Sequence, residues 1–392
     1  MRVMKPSLSD PRKYMEVVEA QSAKRTGRVC GDYVVTERSP EATLTVVADG
    51  IGTGIKARVA AVMCASRLVE LTRSGFTLRE ACSKIVHTMH EARTKDIPFS
   101  AFSACRVLNN GHATIMAYEI PSPILINNRL AAYLPKQRFY PLGLEMIAEV
   151  NCMLNYGDGV FLVSDGVSQA GLGHQYRMGW SVQGACDFIN GCLAQGYELK
   201  MIPNKVLEKV KEISGATYGD DTTCVAIFCR EGKTLNILTG PPADKNNDKK
   251  IVEDFLSMKG TKVICGSTTS EMVAKILGVP IDMKTIPSAY HKPPSYEIKG
   301  IDYATEGAIC LNQVHNILEE NPDKLETDSS VSDLYRLFHS ADTINFVVGT
   351  ASNPGHENIV FRQMGIFPRE VIVKLLADKL KKIGKLVNLT YV

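Results

Sequence analysis

The segment VVADGIGTGIKA, residues 46–57, decides the fold of the first half of this 392-residue chain. An apolar run over residues 44–48 predicts a buried strand, which ends at Asp49-Gly50. After a glycine-bearing turn, apolar residues at helical spacing predict a helix over residues 55–73. A glycine directly after the aspartate lets the backbone approach closely, so the Gly50 carbonyl oxygen can act as a ligand beside the Asp49 carboxylate.

The elements that follow predict a layered sandwich. A second amphipathic helix covers residues 78–93, and Asn-rich turns separate a series of short strands. The predicted strands cover residues 100–107, 113–119, 123–126, 147–153, 160–164 and 222–228, and further helices cover residues 181–195 and 203–213. Because the strands cluster instead of alternating with helices, the pattern favours an α+β fold over a doubly wound parallel sheet.

Three further aspartate motifs lie at predicted strand ends: Gly31-Asp32, Ser164-Asp165-Gly166 and Gly219-Asp220-Asp221. Each motif alone is more often a simple turn, since Asp-Gly is a common turn sequence. Carboxylates at the ends of neighbouring strands can converge on one edge of a sheet, where they cannot all stay ionised without a compensating cation. Magnesium and manganese favour such oxygen ligands. The ordered set of motifs therefore predicts a metal site.

These motifs resemble those of the PPM (type-two-C) metal-dependent protein serine/threonine phosphatases. The similarity is to the bacterial branch of stage II sporulation (SpoIIE-like) and sigma-factor-regulating phosphatases. It rests on CGDYV at residues 30–34, VVADGIGTGIKA at 46–57, FLVSDGV at 161–167 and GDDTTCVAI at 219–227. The resemblance extends over residues 20–230.

The resemblance implies an α-β-β-α sandwich with two Mn²⁺ or Mg²⁺ ions at one edge of its sheets. Asp49 would bridge both ions, and the Gly50 carbonyl oxygen and Asp32 would bind one of them. Asp165 and Asp220 would complete the other ion's ligands. Asp49, Asp165 and Asp220 are thus the implied catalytic residues, and they would act with a metal-activated water that attacks phosphorus without a side-chain nucleophile.

Two positions of the site are less well defined by the resemblance. Asp221 is a further metal-ligand candidate, ranked second to Asp220 within the same motif. The wider family often has a phosphate-binding arginine shortly before its first aspartate. Arg28 and Arg25 are the candidates for it here, although their spacing matches poorly and a solvated surface arginine is the simpler interpretation.

The resemblance therefore predicts hydrolysis of phosphoserine or phosphothreonine in a bacterial regulatory protein. Two alternatives stay open. The fold could serve as a catalytically silent module that binds a phosphoprotein, although a silent relative would be free to lose its acidic residues. The substrate could also be a small phosphorylated molecule.

The pattern changes after the Gly- and Pro-rich stretch at residues 240–247. We predict a phosphatase domain over residues 1–232 and a smaller α/β domain over residues 233–392 that regulates it or binds a ligand or partner. Thr268 and Glu271 have capping-box spacing at the start of a helix over residues 270–277. The turn before this helix could bind an anion through backbone N–H groups, but a capped helix start is the favoured interpretation. The other predicted elements are strands 234–238, 262–265 and 343–348 and helices 249–258 and 371–383.

The amino-acid composition limits the expected binding partners and the expected cellular compartment. The net charge is +3 and no dense Lys/Arg block occurs, so we expect no nucleic-acid partner. No apolar run is long enough to span a membrane, and the first residues do not form a secretory signal. The 11 scattered cysteines lack a CxxC pair, which indicates the reducing cytoplasm. The expected partner is a phosphorylated protein, and a homodimer is left open.

Overall fold

The computed structural model describes residues 13–24, 27–52, 54–95, 97–134, 138–142, 145–215, 219–283, 293–321, 325, 329–351 and 365–392. The chain divides into two compact units, Met1–Glu231 and Gly232–Val392. Each unit has its own sheets and its own hydrophobic cores.

The first unit contains two mostly antiparallel sheets. The strands are β1 (Lys13–Ser22), β2 (Tyr33–Arg38), β3 (Ala42–Gly50), β4 (Ser100–Leu108), β5 (His112–Tyr118), β6 (Ile124–Asn127), β7 (Leu130–Tyr133), β8 (Arg138–Leu142), β9 (Glu145–Met153), β10 (Gly159–Val163) and β11 (Thr222–Glu231). One sheet has five strands in the order β1-β11-β10-β6-β7, and the other has six in the order β2-β3-β4-β5-β9-β8. Neighbouring strands in both sheets are antiparallel, and β1 pairs with β11 along its whole length.

The helices of the first unit cover the outer faces of the two sheets. They are α1 (Ile55–Arg73), α2 (Leu78–Thr94), the short α3 (Asp165–Ser168), α4 (Ser181–Ala194) and α5 (Ile202–Ile213). Helix α2 begins with a capping box, in which Thr77 and Glu80 satisfy each other's backbone N–H groups. Within the described part of the chain, no helix combines the length and the apolar character needed to cross a membrane.

Three separate cores hold these layers together. Val47 and Ile115 from the six-stranded sheet meet Leu162 and Val225 from the five-stranded sheet in the central core. Helices α1 and α2 pack on the outer face of the six-stranded sheet, and α4 and α5 pack on the outer face of the other. The predicted α-β-β-α sandwich is therefore confirmed. Strand β1 was missing from the prediction, because it precedes the region in which the motifs occur.

The second unit is a doubly wound α/β sheet. Its strands are β12 (Thr234–Thr239), β13 (Thr261–Cys265), β14 (Ile281–Met283), β15 (Ser295–Ile298), β16 (Tyr303–Thr305), β17 (Thr343–Val348) and β18 (Leu386–Tyr391). Its helices are α6 (Asp248–Ser257), α7 (Ser267–Leu277), α8 (Ala308–Ile317), α9 (Ser330–Ser340) and α10 (Arg369–Lys382). The sheet order is β14-β15-β16-β13-β12-β17-β18.

Strand β12 is the middle one of the five parallel strands of this sheet. Strands β16, β13, β12, β17 and β18 are parallel to one another, and β14 and β15 extend one edge with antiparallel pairs. The chain runs from β12 to β13, continues at the edge strand β14, comes back inward through β15 and β16, and then crosses to β17 on the other side of β12. Helices α6 and α7 pack on one face and α8, α9 and α10 pack on the other. The change of direction beside β12 is the topological switch point of a doubly wound fold.

Three asparagines align three neighbouring strands of the second unit. Asn236, Asn345 and Asn388 occupy paired positions on β12, β17 and β18. The Asn345 amide donates to the Asn236 side-chain oxygen at 2.8 Å, and the Asn388 amide donates to the Asn345 side-chain oxygen at 2.8 Å. A shift of one residue in register would break both bonds, so this ladder specifies the register.

The start of helix α7 differs from the prediction. The helix begins at Ser267, after Gly266, and its cap position makes no side-chain hydrogen bond. Thr268 and Glu271 thus lie inside the helix, and the predicted capping box is wrong. The adjacent Thr269 hydroxyl instead accepts the backbone N–H of Gly240 at 2.8 Å. Contact with a neighbouring strand end therefore overrides the local capping pattern.

We predict that Phe338→Ala will destabilise the second unit by about 3–5 kcal/mol, because it removes a fully buried ring from the core. Phe338 packs 6.0 Å from Phe346, centroid to centroid. The measurement is urea denaturation of the full chain, followed by circular dichroism. Phe367→Ala serves as the control, since that side chain is 46% exposed. Equal losses in the two variants would contradict the assigned core.

Candidate metal and phosphate site

Asp49 lies at the end of β3, where the strand is still paired with β4. Residue 49 pairs with Ala101 and residue 50 with Ser100. The Ser100 hydroxyl donates to the Asp49 carbonyl oxygen at 2.8 Å. Backbone pairing and this side-chain bond hold the end of β3 in place, so the Asp49 carboxyl group projects from a rigid element.

Asp32 directly precedes β2 and is 1% exposed. Its Oδ2 accepts the Thr223 hydroxyl at 2.6 Å, and the same hydroxyl accepts the Gln21 amide at 3.0 Å. Among the described residues, its Oδ1 is buried without a hydrogen-bond partner. The nearby Ser164 side chain favours the ionised form of this carboxylate and so lowers its pKa. A buried carboxylate oxygen without a donor is costly, and a cation is the kind of partner that would satisfy it.

The Asp49 carboxyl group is close enough to those of Asp32 and Asp165 for both to change its pKa. Burial, and then the negative charges of these two neighbours, raise the pKa of Asp49 from 3.8 to about 9. Burial is also the main cause that raises the pKa of Asp32 to about 6. The structure therefore brings these three predicted carboxylates together, and the pKa of Asp49 is raised more than that of Asp32.

Asp165 is the first residue of α3, directly after β10 and Ser164. Its Oδ2 accepts the Gln169 amide at 2.9 Å. Burial first, and then the charge of Asp220, raise the pKa of Asp165. Asp165 thus links the Asp32–Asp49 pair to Asp220, which extends the acidic group toward solvent.

Asp220 and Asp221 have different surroundings although they are adjacent. Asp220 is 48% exposed, and one of its oxygens lies 3.7 Å from the Lys24 ammonium group. Both oxygens of Asp221 accept backbone N–H groups, from Lys24 and Gly31, each at 2.7 Å. Asp221 therefore fastens the segment between β1 and β2, whereas Asp220 faces the acidic group and the solvent.

The glycines of the motifs are required by close packing. A Cβ atom at Gly50 would lie 2.0 Å from the Ala57 carbonyl oxygen. A Cβ atom at Gly166 would lie 2.1 Å from the Asp221 carbonyl oxygen, and one at Gly31 would lie 2.8 Å from Asp221 Oδ2. Each Asp-Gly or Gly-Asp motif thus brings its carboxylate to a place where two chain segments touch.

Two cations lie beside the carboxylates. The Lys24 ammonium group is next to Asp220, and the Arg58 guanidinium donates to the Asp32 carbonyl oxygen. Arg58 also stacks on the Tyr33 ring, 4.7 Å from its centroid. Arg28 is exposed, and its role in binding phosphate remains a prediction. Arg25, the other arginine suggested by the sequence, lies outside the described residues.

The four predicted ligands form a chain, Asp32–Asp49–Asp165–Asp220, instead of a ring around one point. Among the described residues, no three His, Cys, Asp or Glu side chains already surround a common centre at metal-binding distances. The pairwise contacts nevertheless point to a cation, since adjacent carboxylates approach each other closely only when protons or cations reduce their repulsion. The donor set of carboxylate oxygens, with one buried oxygen unpartnered, fits a hard divalent cation.

Several residues around the acidic group escaped the sequence analysis. Lys24, Arg58, Ser100, Gln169 and Thr223 each contact one of the predicted ligands or its backbone. Of these, Thr223 lies in a recognised motif, GDDTTCVAI, where its position after the paired aspartates was a usable signal. The others contact the site only through the tertiary fold.

An α-β-β-α sandwich with aspartates from several strand ends at one edge defines the PP2C class of phosphatase domains. Residues 39–230 match the family Stage II sporulation protein E (SpoIIE). This part of the chain is therefore similar to the SpoIIE-type PP2C phosphatase domains. None of the curated proteins compared with the chain matches it.

Solved structures with similarity to the chain include three bacterial proteins. The PP2C domain of SpoIIE from Bacillus subtilis, with a fragment of its regulatory domain, is 16% identical, with a TM-score of 0.48, over 57% of this chain and 66% of that one. The RsbU and RsbW domains of Rv1364c from Mycobacterium tuberculosis are 16% identical, with a TM-score of 0.47. The match covers 68% of this chain and 69% of that one. RsbX in complex with magnesium is 14% identical, with a TM-score of 0.41. The match covers 55% of this chain and 96% of that one. The chain thus spans just under two thirds of the SpoIIE structure.

We predict that Asp49→Asn will raise the melting temperature of the metal-free protein at pH 7.5 by at least about 2 °C. The folded-state pKa of about 9 lies above the ordinary value of 3.8, so Asp49 contributes stability at low pH that is lost as the pH rises. The amide removes this dependence. Differential scanning calorimetry with EDTA, from pH 5 to pH 9, measures it. A variant that is less stable than the parent at every pH would contradict the crowded carboxyl group.

We also predict that Asp221→Ala will lower the free energy of unfolding by about 1–3 kcal/mol, because two backbone N–H groups lose their acceptor. Asp220→Ala is the matched control in the neighbouring position, and its half-exposed side chain should matter less to stability. Both are measured by urea denaturation without divalent cations. The assignment fails if Asp220→Ala is the more destabilising change.

Proposed function

We propose that the first unit is a metal-dependent phosphatase that hydrolyses phosphoserine or phosphothreonine in a regulatory protein. The observation that carries the proposal is the half-buried Asp49 carboxyl group, which interacts with the carboxyl groups of Asp32 and Asp165. Such a group is destabilising in the absence of a cation, and a fold retains an arrangement of this kind when it serves a function. The match of residues 39–230 to the SpoIIE family supports the same conclusion.

In this proposal Asp32, Asp49, Asp165 and Asp220 hold two Mn²⁺ or Mg²⁺ ions together with the Gly50 carbonyl oxygen. When bound, the ions supply a nucleophilic water near neutral pH and neutralise charge on the phosphoryl group. The protein holds the ligand side chains in position. Strand β3 and its bond from Ser100 hold the end that carries Asp49, and Thr223 orients Asp32.

The neighbouring cations and Asp221 have supporting roles. Lys24 lies at the exposed end of the acidic group, where its charge would attract a phosphate ester. The sequence candidate Arg28 is also exposed and belongs to the same segment between β1 and β2. Asp221 positions this segment through its two backbone acceptors, so in our proposal it acts on the site by holding Lys24.

The proposed partner is a phosphorylated regulatory protein in the cytoplasm of a bacterium. Nucleic acid has no part in the proposal, because the chain carries a net charge of only +3. The second unit is proposed to regulate the phosphatase or to bind a ligand or partner for it, and a homodimer would be compatible with this arrangement.

We predict that Asp49→Asn will lower metal-dependent hydrolysis roughly a thousandfold, since the ions provide several kcal/mol of charge stabilisation. The assay uses phosphoserine peptides and p-nitrophenyl phosphate with added Mn²⁺. Asp187→Asn is the matched control, because Asp187 is exposed on α4. Full activity in Asp49→Asn would rule out the assigned ligand.

The same assay separates the alternatives. Faster turnover of phosphopeptides than of small phosphomonoesters is expected of a protein phosphatase. The reverse order would assign the enzyme to small molecules. Tight phosphopeptide binding without turnover in Mn²⁺ would make the unit a binding module.

A further inference from the structure

The second unit has four adjacent parallel strands that end at one edge in glycine-bearing turns. Gly240 follows β12, Gly266 follows β13, Gly307 lies two residues after β16, and Gly349 follows β17. A Cβ atom at Gly349 would lie 2.1 Å from the Pro241 carbonyl oxygen, so the turns after β12 and β17 touch. We call this part of the molecule the switch-point edge. In doubly wound folds, ligands bind outside the carboxyl ends of the strands at the switch point.

Helix α7 presents backbone donors to this edge. Its cap residue, Gly266, has a positive φ of 129° and offers no side-chain acceptor. Within the described part of the chain, the backbone N–H groups of Ser267, Thr268 and Thr269 donate to no acceptor. An uncapped first turn carries partial positive charge and free donors, which suit a phosphate group.

Two buried hydroxyl groups near the strand ends also lack partners. Thr239, the last residue of β12, is fully buried, and its Oγ1 makes no hydrogen bond among the described residues. The same is true of Ser270 Oγ, in the first turn of α7, where the residue is 1% exposed. Gly240 connects these places, since it follows Thr239 and donates to Thr269. Buried hydroxyl groups normally have a hydrogen-bond partner, so these two unpartnered hydroxyl groups indicate that a polar group binds at this edge.

An arginine supplies the charge. Arg369 begins α10, and its guanidinium lies against Gly240, where a Cβ atom would be 2.0 Å from Nη1. Its hydrogen bonds go to the carbonyl oxygens of Gly349 and Ala351, at 2.7 and 3.5 Å. Among the described residues it forms no salt bridge with a carboxylate. Burial lowers the pKa of this guanidinium, and the nearby Glu370 opposes that shift.

Thr239 and Arg369 lie on the same side of the sheet. Leu235 and Ile237, which alternate with Thr239 along β12, face the core formed with α8, α9 and α10. Thr239 therefore points toward the face on which α10 begins. A partly buried guanidinium that forms no salt bridge, on the same side of the sheet as an unpartnered hydroxyl, is the arrangement expected of an anion site before the anion binds.

We propose that the switch-point edge binds the phosphate group of a small molecule, through Arg369, the Thr239 hydroxyl and the N-terminal turn of α7. A phosphate group suits the planar guanidinium fork, which can donate two parallel hydrogen bonds to its oxygens. This site lies entirely in the second unit and does not depend on the acidic residues of the first. It gives the second unit a task of its own, the binding of a phosphorylated ligand.

The test is calorimetric titration of the full-length chain with inorganic phosphate, glucose 6-phosphate and adenosine monophosphate. Asp49→Asn protein in EDTA is used, so that phosphate binding by the first unit does not contribute. We expect at least one compound to bind, and the tightest one identifies what the phosphate group is attached to. Equal affinity for all three would support a site that recognises the phosphate group alone. No detectable binding up to roughly 10 mM would overturn the proposal.

Variants assign the binding to the proposed residues. Arg369→Gln should weaken it at least about tenfold, because a charged hydrogen bond is lost. Lys381→Gln, at the exposed far end of the same helix, removes an equal charge and should leave the affinity unchanged. Equal affinities in Arg369→Gln and the parent would refute the site.

Thr239→Val gives a test that does not depend on charge. An unpartnered buried hydroxyl is unfavourable, so its removal should leave the melting temperature without ligand unchanged or higher. The same change should weaken phosphate binding several-fold. A variant with lower stability and normal affinity would show that Thr239 has a structural role only, and this outcome would contradict the proposal even if Arg369→Gln did not fold.

Discussion

The crowding of three carboxyl groups at the edge of the first unit is the constraint on which the other features depend. Asp49 interacts with Asp32 and Asp165, and burial with mutual repulsion raises its pKa to about 9. Such an arrangement is unfavourable unless protons or cations reduce the repulsion. It persists because each carboxylate comes from a different, independently anchored element: the end of β3, the residue before β2 and the first turn of α3. The rigidity of the two sheets thus holds together groups that would otherwise separate.

The adjacent aspartates at residues 220 and 221 have different roles although they belong to one motif. Asp221 uses both oxygens to hold the backbone N–H groups of Lys24 and Gly31, which lie near the two ends of the connection between β1 and β2. Asp220 stays half exposed beside the Lys24 ammonium group. A carboxylate saturated by backbone donors is a poor candidate for a primary metal ligand, whereas a solvent-facing one can reorient to reach an ion.

The switch-point edge of the second unit carries positive charge, whereas the acidic group of the first unit carries negative charge. Its parallel strands bring glycine turns, an uncapped helix start and Arg369 to the carboxyl ends of β12 and β17. Donors and a guanidinium attract anions, while the carboxylates of the first unit attract cations. Both arrangements follow from sheet geometry, because strand ends that lie side by side place residues from distant parts of the sequence at one edge.

The sequence by itself determined the strands and helices with clear periodicity, the order of the aspartate motifs and the α-β-β-α class. Asp49-Gly50 and Asp165-Gly166 were visible because a buried apolar strand stops at each of them. The capping box predicted from Thr268 and Glu271 was wrong, because its spacing is only a local signal. The helix start is instead fixed by the tertiary contact between Thr269 and Gly240. Only the tertiary structure decided which carboxylate is crowded, which of Asp220 and Asp221 is tied to backbone, and that Arg369 lies on Gly240. Those facts depend on contacts between residues far apart in the chain, and local sequence patterns carry no information about such contacts.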